Sequence, residues 1–96
     1  NLSFIWNIMA NCSTGQQRIA AVLPKGGKWI HKTGSGFPSF DGRQDRNDVG
    51  IILLPDGSHL FIAVFLPKSK EENEVAEIAE HCLMRIQADE FLRNMP

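Results

Sequence analysis

Two apolar runs separated by a tight-turn sequence restrict the fold of this chain more than any other feature. Residues 48–54 and 59–66 are rich in Val, Ile, Leu and Phe, and residues 55–58, Pro-Asp-Gly-Ser, join them. This spacing is typical of an antiparallel β-hairpin, because proline and glycine supply the backbone angles that a short reversal needs. Both arms are apolar on successive residues, which predicts a sheet covered on both faces.

Upstream of the hairpin, residues 28–33 have strand-like composition and predict a third strand. The glycine- and charge-rich residues 34–47 are predicted to form a loop. Residues 2–23 are predicted to be helical in two parts, and Trp6 and Trp29 are interpreted as anchors of the core.

A terminal helix is predicted over residues 70–92. Ser69 and Glu72 have the spacing of a capping box, and the glutamates that follow Lys70 are interpreted as a solvated helix start. One helix face is apolar, which suits packing on one side of the sheet. The residues of that face are Val75, Ile78, Ala79, Cys82 and Ile86, with Leu83 beside it.

These elements predict an α+β fold, a three-stranded antiparallel meander with flanking helices, as one unit over residues 1–96. One terminal helix covers only one sheet face. Asn1 is not a methionine and opens an apolar stretch, so we expect a longer protein whose preceding portion covers the other face.

Composition excludes several classes of partner. A net charge of −1 gives no basic surface for nucleic acid, and no apolar run is long enough to span a membrane. Cys12 and Cys82 are interpreted as two packed free thiols. His31 is interpreted as a packing or supporting residue, and His59 and His81 as surface residues. They show no metal-ligand spacing, so neither a metal nor another cofactor is expected.

Residues 32–34, Lys-Thr-Gly, end the first predicted strand and are called the KTG motif below. On its own, the motif is equally compatible with a strand end whose charge is solvated. Followed by a loop, a hairpin and a terminal helix, it resembles the third conserved element of serine β-lactamases and penicillin-binding proteins. Residues 47–57, 62–65 and 13–24 are also similar to class A β-lactamases, especially to an extended-spectrum branch often found in Bacteroidetes. The resemblance implies the C-terminal part of the β-lactamase/transpeptidase-like α/β domain.

The resemblance also implies roles for the strand end. Lys32 would supply positive charge near the carboxylate of a β-lactam and near the proton network of the nucleophile. Thr33 would donate a hydrogen bond to that carboxylate, and Gly34 would let the substrate lie against the strand. The backbone N–H of Ser35 would be one donor of the oxyanion hole.

Arg18 is expected to complete the carboxylate pocket. Many class A enzymes have an arginine at the position that Val49 matches, whereas the related branch has one on the short helix before the strand, which Arg18 matches. Arg18 is also compatible with an ordinary exposed helix residue.

The implied activity is that of a periplasmic or secreted serine hydrolase that opens the β-lactam amide through an acyl-enzyme. Such an enzyme needs a Ser-x-x-Lys element, yet no serine of this chain is followed by lysine three residues later. Residues 1–96 alone are therefore expected to be inactive without a missing N-terminal portion of the same protein. A penicillin-binding D-Ala-D-Ala peptidase and a non-catalytic, self-associating β-lactamase-like module are the alternatives.

Overall fold

A computed structural model describes residues 2–95 as two α-helices, one 3-10 helix and three strands. The strands form one antiparallel sheet in the order β1-β2-β3, which confirms the predicted α+β meander. No helix in this range is both long and apolar enough to cross a bilayer. In chain order the elements are α1 (Leu2–Ala10), the 3-10 helix (Ile19–Val22), β1 (Lys28–Ser35), β2 (Gln44–Leu53), β3 (His59–Ser69) and α2 (Glu74–Arg93).

The predicted hairpin joins β2 to β3. The N–H of Leu54 donates to the carbonyl of Ser58 at 2.9 Å, and Gly57 has φ +88°, a conformation that favours glycine. Asp56 accepts hydrogen bonds from the hydroxyl and the N–H of Ser58, and these hold the pKa of its carboxyl below the ordinary value. Local turn chemistry therefore sets the register of this hairpin, in which Leu53 lies opposite His59.

The core lies on one face of the sheet. Ile19 of the 3-10 helix, Val64 of β3, and Val75 and Ala79 of α2 are buried together. Successive strand residues alternate between faces, so Phe61 and Phe65 lie on the opposite face, where both are exposed. The prediction that a further segment covers this second face stays a prediction.

β1 and β2 extend into sequence that was expected to be loop, and β3 runs beyond its predicted end at residue 66. Within the predicted loop, residues 34–47, Gly34 pairs with Asn47 and Ser35 with Arg46, and β3 continues to Ser69. Glycine and short polar residues disfavour strands, but cross-strand pairing overrides that preference here. The pairing holds because the buried polar groups of this extension are hydrogen-bonded, as described for the site below.

The start of α2 differs from the predicted capping box. The helix begins at Glu74 rather than at residue 70, and its N-cap residue, Asn73, makes no side-chain cap bond. Ser69 belongs to β3 and donates to the carbonyl of Glu71 at 3.0 Å, while the carboxylate of Glu72 binds arginines. Ser69 and Glu72 therefore bind other groups instead of forming the predicted capping box. The buried residues of α2 are Val75, Ala76, Ala79 and Leu83, whereas Ile78, Cys82 and Ile86 are exposed.

The predicted helical region 2–23 is interrupted more widely than expected. No regular helix connects α1 to the 3-10 helix, and α1 has no buried residue. Trp6 is 42% exposed, so the prediction that it anchors a core formed by residues 2–95 is wrong. Trp29 is half-buried and packs against the core cluster, as predicted.

Candidate functional site

The KTG motif lies in the C-terminal half of β1, an edge strand of the described sheet. One edge of β1 pairs with β2, and no strand of residues 2–95 lies along the other. Lys32 is exposed and its ammonium donates to the carbonyl of Thr33 at 2.6 Å. Thr33 and Gly34 are half-buried and Ser35 is exposed, so the predicted strand-end residues lie together at an accessible edge.

Arg18 lies behind this strand end and directly precedes the 3-10 helix, rather than being part of it. Its side chain is 6% exposed, which excludes the alternative of an ordinary exposed helix residue. Nη1 donates to the carbonyls of Gly34 (3.0 Å) and Asn47 (2.9 Å), and Nη2 donates to Ser35 Oγ (2.7 Å). Nε donates to Glu72 Oε1 at 3.1 Å. These four bonds use four of the five N–H groups of the guanidinium, and the fifth, on Nη2, donates to none of the acceptors just named.

A second polar chain reaches the motif from the segment after α1. The hydroxyl of Thr14 lies 2.6 Å from Thr33 Oγ1 and 3.3 Å from Cys12 Sγ. Gly15 has φ +73°, and a Cβ added there would lie 2.5 Å from Thr33 Cγ2. Only glycine at this position therefore lets the segment approach Thr33 so closely.

A buried His–Asp pair spans β1 and β2 beneath the motif. His31 Nδ1 lies 2.7 Å from Asp48 Oδ1, and Asp48 Oδ2 accepts the N–H of Ile19 at 3.2 Å. The imidazole also stacks on Trp29 with ring centroids 4.9 Å apart. His31 is 2% exposed, which confirms the predicted packing role, whereas a supporting role for the neighbouring Lys32 stays a prediction.

Glu72 joins two buried arginines. Its Oε1 accepts from Arg18 Nε, and its Oε2 accepts from Arg46 Nε at 2.9 Å. Arg46 Nη1 also donates to the carbonyl (2.9 Å) and hydroxyl (3.1 Å) of Ser69, and Nη2 donates to Gln44 Oε1. Arg46 lies opposite Ser35 in the β1–β2 register. The arginine pair therefore connects the strand end to the segment that leads into α2.

Sequence reasoning missed Thr14, Arg46, Asp48 and Glu72 as members of this region. One signal was available for Arg46 and Asp48. Alternate residues of a strand face the same side, so both share a strand face with Ile52, which is buried. Two charged residues on the apolar face of a strand need partners. Thr14 had no comparable signal, because its contact depends on how the segment after α1 folds back.

A model of the β-lactamase enzyme family matches residues 2–86 of this chain. Beta-lactamase VEB-1 of Pseudomonas aeruginosa is 43% identical over 74 residues, which are 77% of this chain and 25% of VEB-1. The crystal structure of TLA-3 extended-spectrum β-lactamase superposes with a TM-score of 0.74 and 37% identity, over 88% of this chain and 33% of that chain.

A class A β-lactamase structure from Bacteroides cellulosilyticus DSM 14838 superposes with a TM-score of 0.67 and 31% identity, over 84% of this chain and 32% of that chain. The chain thus spans about a quarter of the curated relative and a third of the crystal structures. The chain belongs to the β-lactamase enzyme family, and its relatives place it in class A.

Proposed function

We propose that this chain supplies the substrate-carboxylate pocket and one oxyanion-hole donor of a serine β-lactamase. The observation that carries the proposal is the contact of Arg18 with the end of β1, at Gly34 O and Ser35 Oγ. The contact puts a permanent positive charge at the end of the KTG motif, where a β-lactam carboxylate would bind.

Each residue of the strand end then has a distinct role. The ammonium of Lys32 attracts the carboxylate and supplies positive charge near the proton network of the attacking serine. The hydroxyl of Thr33, which lies 2.6 Å from that of Thr14, donates to the carboxylate when the substrate binds. The single free N–H of Arg18 reinforces this pocket, and Gly34 leaves room for the substrate.

Ser35 acts through its backbone N–H, which would stabilise the negative oxygen that forms when serine attacks the strained amide. Loss of one such donor costs about 3 kcal/mol of transition-state stabilisation. The serine and its lysine partner lie outside residues 1–96, since no serine of this chain has the Ser-x-x-Lys spacing. We therefore propose that residues 1–96 alone do not hydrolyse β-lactams, and that the complete protein acts in the periplasm or outside the cell.

Hydrolysis of a chromogenic cephalosporin by the protein that contains this chain tests the proposal. Lys32→Met is expected to lower kcat/KM by about 100-fold, the size of one lost electrostatic contact in the transition state. Lys25→Met removes the same charge from an exposed turn and should leave kcat/KM unchanged.

Equal effects of the two substitutions, or no hydrolysis by the unmodified protein, would overturn the proposal. A long-lived acyl-enzyme together with cleavage of a D-Ala-D-Ala peptide would instead assign the protein to the penicillin-binding peptidases.

A further inference from the structure

Two guanidinium groups that are almost fully buried share one carboxylate beside the strand end. The side chains of Arg18 and Arg46 are 6% and 9% exposed, and that of Glu72 is 40% exposed. Removing like charges from water is costly, and their mutual repulsion adds to this cost. Glu72 is the only acid within 4.0 Å of either guanidinium among residues 2–95, so it offsets both charges.

The contact with Glu72 helps to fix the plane of the Arg18 guanidinium. Glu72 binds Nε, the donor nearest the aliphatic stem, which directs Nη1 and Nη2 towards the end of β1. Without Glu72, the guanidinium would keep its charge and its three bonds to the sheet but lose the charged partner that holds Nε.

Glu72 is itself held in place from the sheet. Lys68 has φ +51° at an irregularity of the β2–β3 register, and the following residue, Ser69, accepts twice from Arg46. Arg46 then binds the second oxygen of Glu72. Arg46 therefore holds the Glu72 carboxylate through an oxygen that does not contact Arg18.

We propose that Glu72 is a positioning residue for substrate binding, which acts by orienting Arg18 towards the carboxylate pocket. The inference rests on the function proposed above. It predicts that Glu72 affects recognition of the substrate carboxylate and has little effect on the chemical step.

The test compares Glu72→Gln with Glu71→Gln in the protein that contains this chain. Glu71 is the exposed neighbour, so its variant is matched in charge and position. For a cephalosporin with a free carboxylate, Glu72→Gln is expected to raise KM about 10-fold and to change kcat by less than about 3-fold. For the methyl ester of the same cephalosporin, KM should not change, because the ester has no charge for Arg18 to bind.

A double-mutant cycle separates this role from a general loss of structure. Arg18→Ala combined with Glu72→Gln should raise KM no further than Arg18→Ala alone. If Glu72→Gln does not fold, Glu72→Asp keeps the charge on a side chain too short to bridge both arginines, and its KM should lie above that of the unmodified protein.

The outcomes distinguish the inference from the proposed function. An unchanged KM in the folded Glu72 variants, together with a raised KM in Arg18→Ala, would overturn the inference alone. An equal rise in KM for the acid and the ester would also overturn it. Unchanged kinetics in both Arg18→Ala and Lys32→Met would overturn the proposed function.

Discussion

At the scale of single residues, the hydroxyl of Thr14 links the KTG motif to a thiol. Burial opposes ionisation of Cys12, but the Thr14 hydroxyl, the backbone of Thr14 and Thr33, and the charge of Lys32 outweigh it. The pKa of the Cys12 thiol therefore lies below its ordinary value. More thiolate is present at a given pH than in a free cysteine, so alkylation should begin at lower pH.

We expect this shift in the pH profile of alkylation by iodoacetamide, measured on a Cys82→Ser background. The half-maximal rate should fall at a lower pH than for an unstructured cysteine peptide. Thr14→Val removes the hydroxyl and should move the midpoint upwards, while Ser13→Ala, which removes a neighbouring hydroxyl, should not. A midpoint that is the same in Thr14→Val would contradict the assignment.

Gly15 offers a second prediction at this scale. Gly15→Ala combines strain at φ +73° with a Cβ placed 2.5 Å from Thr33 Cγ2, and should lower the free energy of unfolding by about 2–4 kcal/mol. Gly42→Ala is the matched control, because φ is +84° and nothing lies within 4 Å of the added Cβ. That variant should lose only the strain energy of about 1 kcal/mol. Urea unfolding measures both, and equal losses would show that the contact with Thr33 is unimportant.

At the scale of elements, the sequence predicted features that depend on local chemistry. The turn at residues 55–58 and the existence of β1, β2 and β3 follow from turn residues and apolar runs. The extension of β1 and β2 beyond Thr33 and before Asp48 depends on pairing between distant residues. Local propensity contains no information about such pairing, so the loop prediction was wrong there.

The residues of the candidate site also separate into those that a local pattern indicates and those that only the fold brings together. The KTG motif and Arg18 could be found from their spacing and resemblance. The pairs Thr14–Thr33, His31–Asp48 and Arg46–Glu72 could not, because each joins elements that only the folded sheet brings together. Glu72 was misassigned for a related reason: its capping-box spacing is a local pattern, and two buried arginines are stronger partners than a helix N-terminus.

The connection between β1, β2 and the 3-10 helix depends on Asp48. Asp48→Ala would leave His31 Nδ1 and the N–H of Ile19 buried without their acceptor, and should cost about 2–5 kcal/mol of unfolding free energy. Asp48→Asn keeps one acceptor oxygen and should cost less. Chemical denaturation checks this order, and Asp89→Ala, which removes an exposed pair with Arg85, should cost only about 0.5 kcal/mol. A cost for Asp48→Ala no larger than that of Asp89→Ala would contradict the role of the buried pair.

At the scale of the whole molecule, the second sheet face determines how residues 1–96 should behave alone. Phe61 and Phe65 are 74% and 69% exposed on this face. An apolar surface of this kind tends to associate. We expect residues 1–96 to self-associate at micromolar concentration and Phe61→Ser with Phe65→Ser to shift them towards monomer, as measured by sedimentation velocity.

Phe40→Ser is the control for this prediction, because Phe40 is fully exposed but lies outside the strands. It should leave the sedimentation coefficient unchanged. A monomeric unmodified chain, or an equal effect of Phe40→Ser, would argue against association through the sheet face.

The span of the ion pair between Arg18 and Glu72 also has a kinetic consequence. The strands pair with their neighbours in sequence, so the meander can form by closing short loops, whereas this pair joins residues 54 positions apart. Contacts that close long loops are made late in folding. Losing a late contact speeds unfolding and hardly changes the folding rate. We therefore expect loss of the Glu72 carboxylate to speed unfolding of the native molecule more than it slows folding.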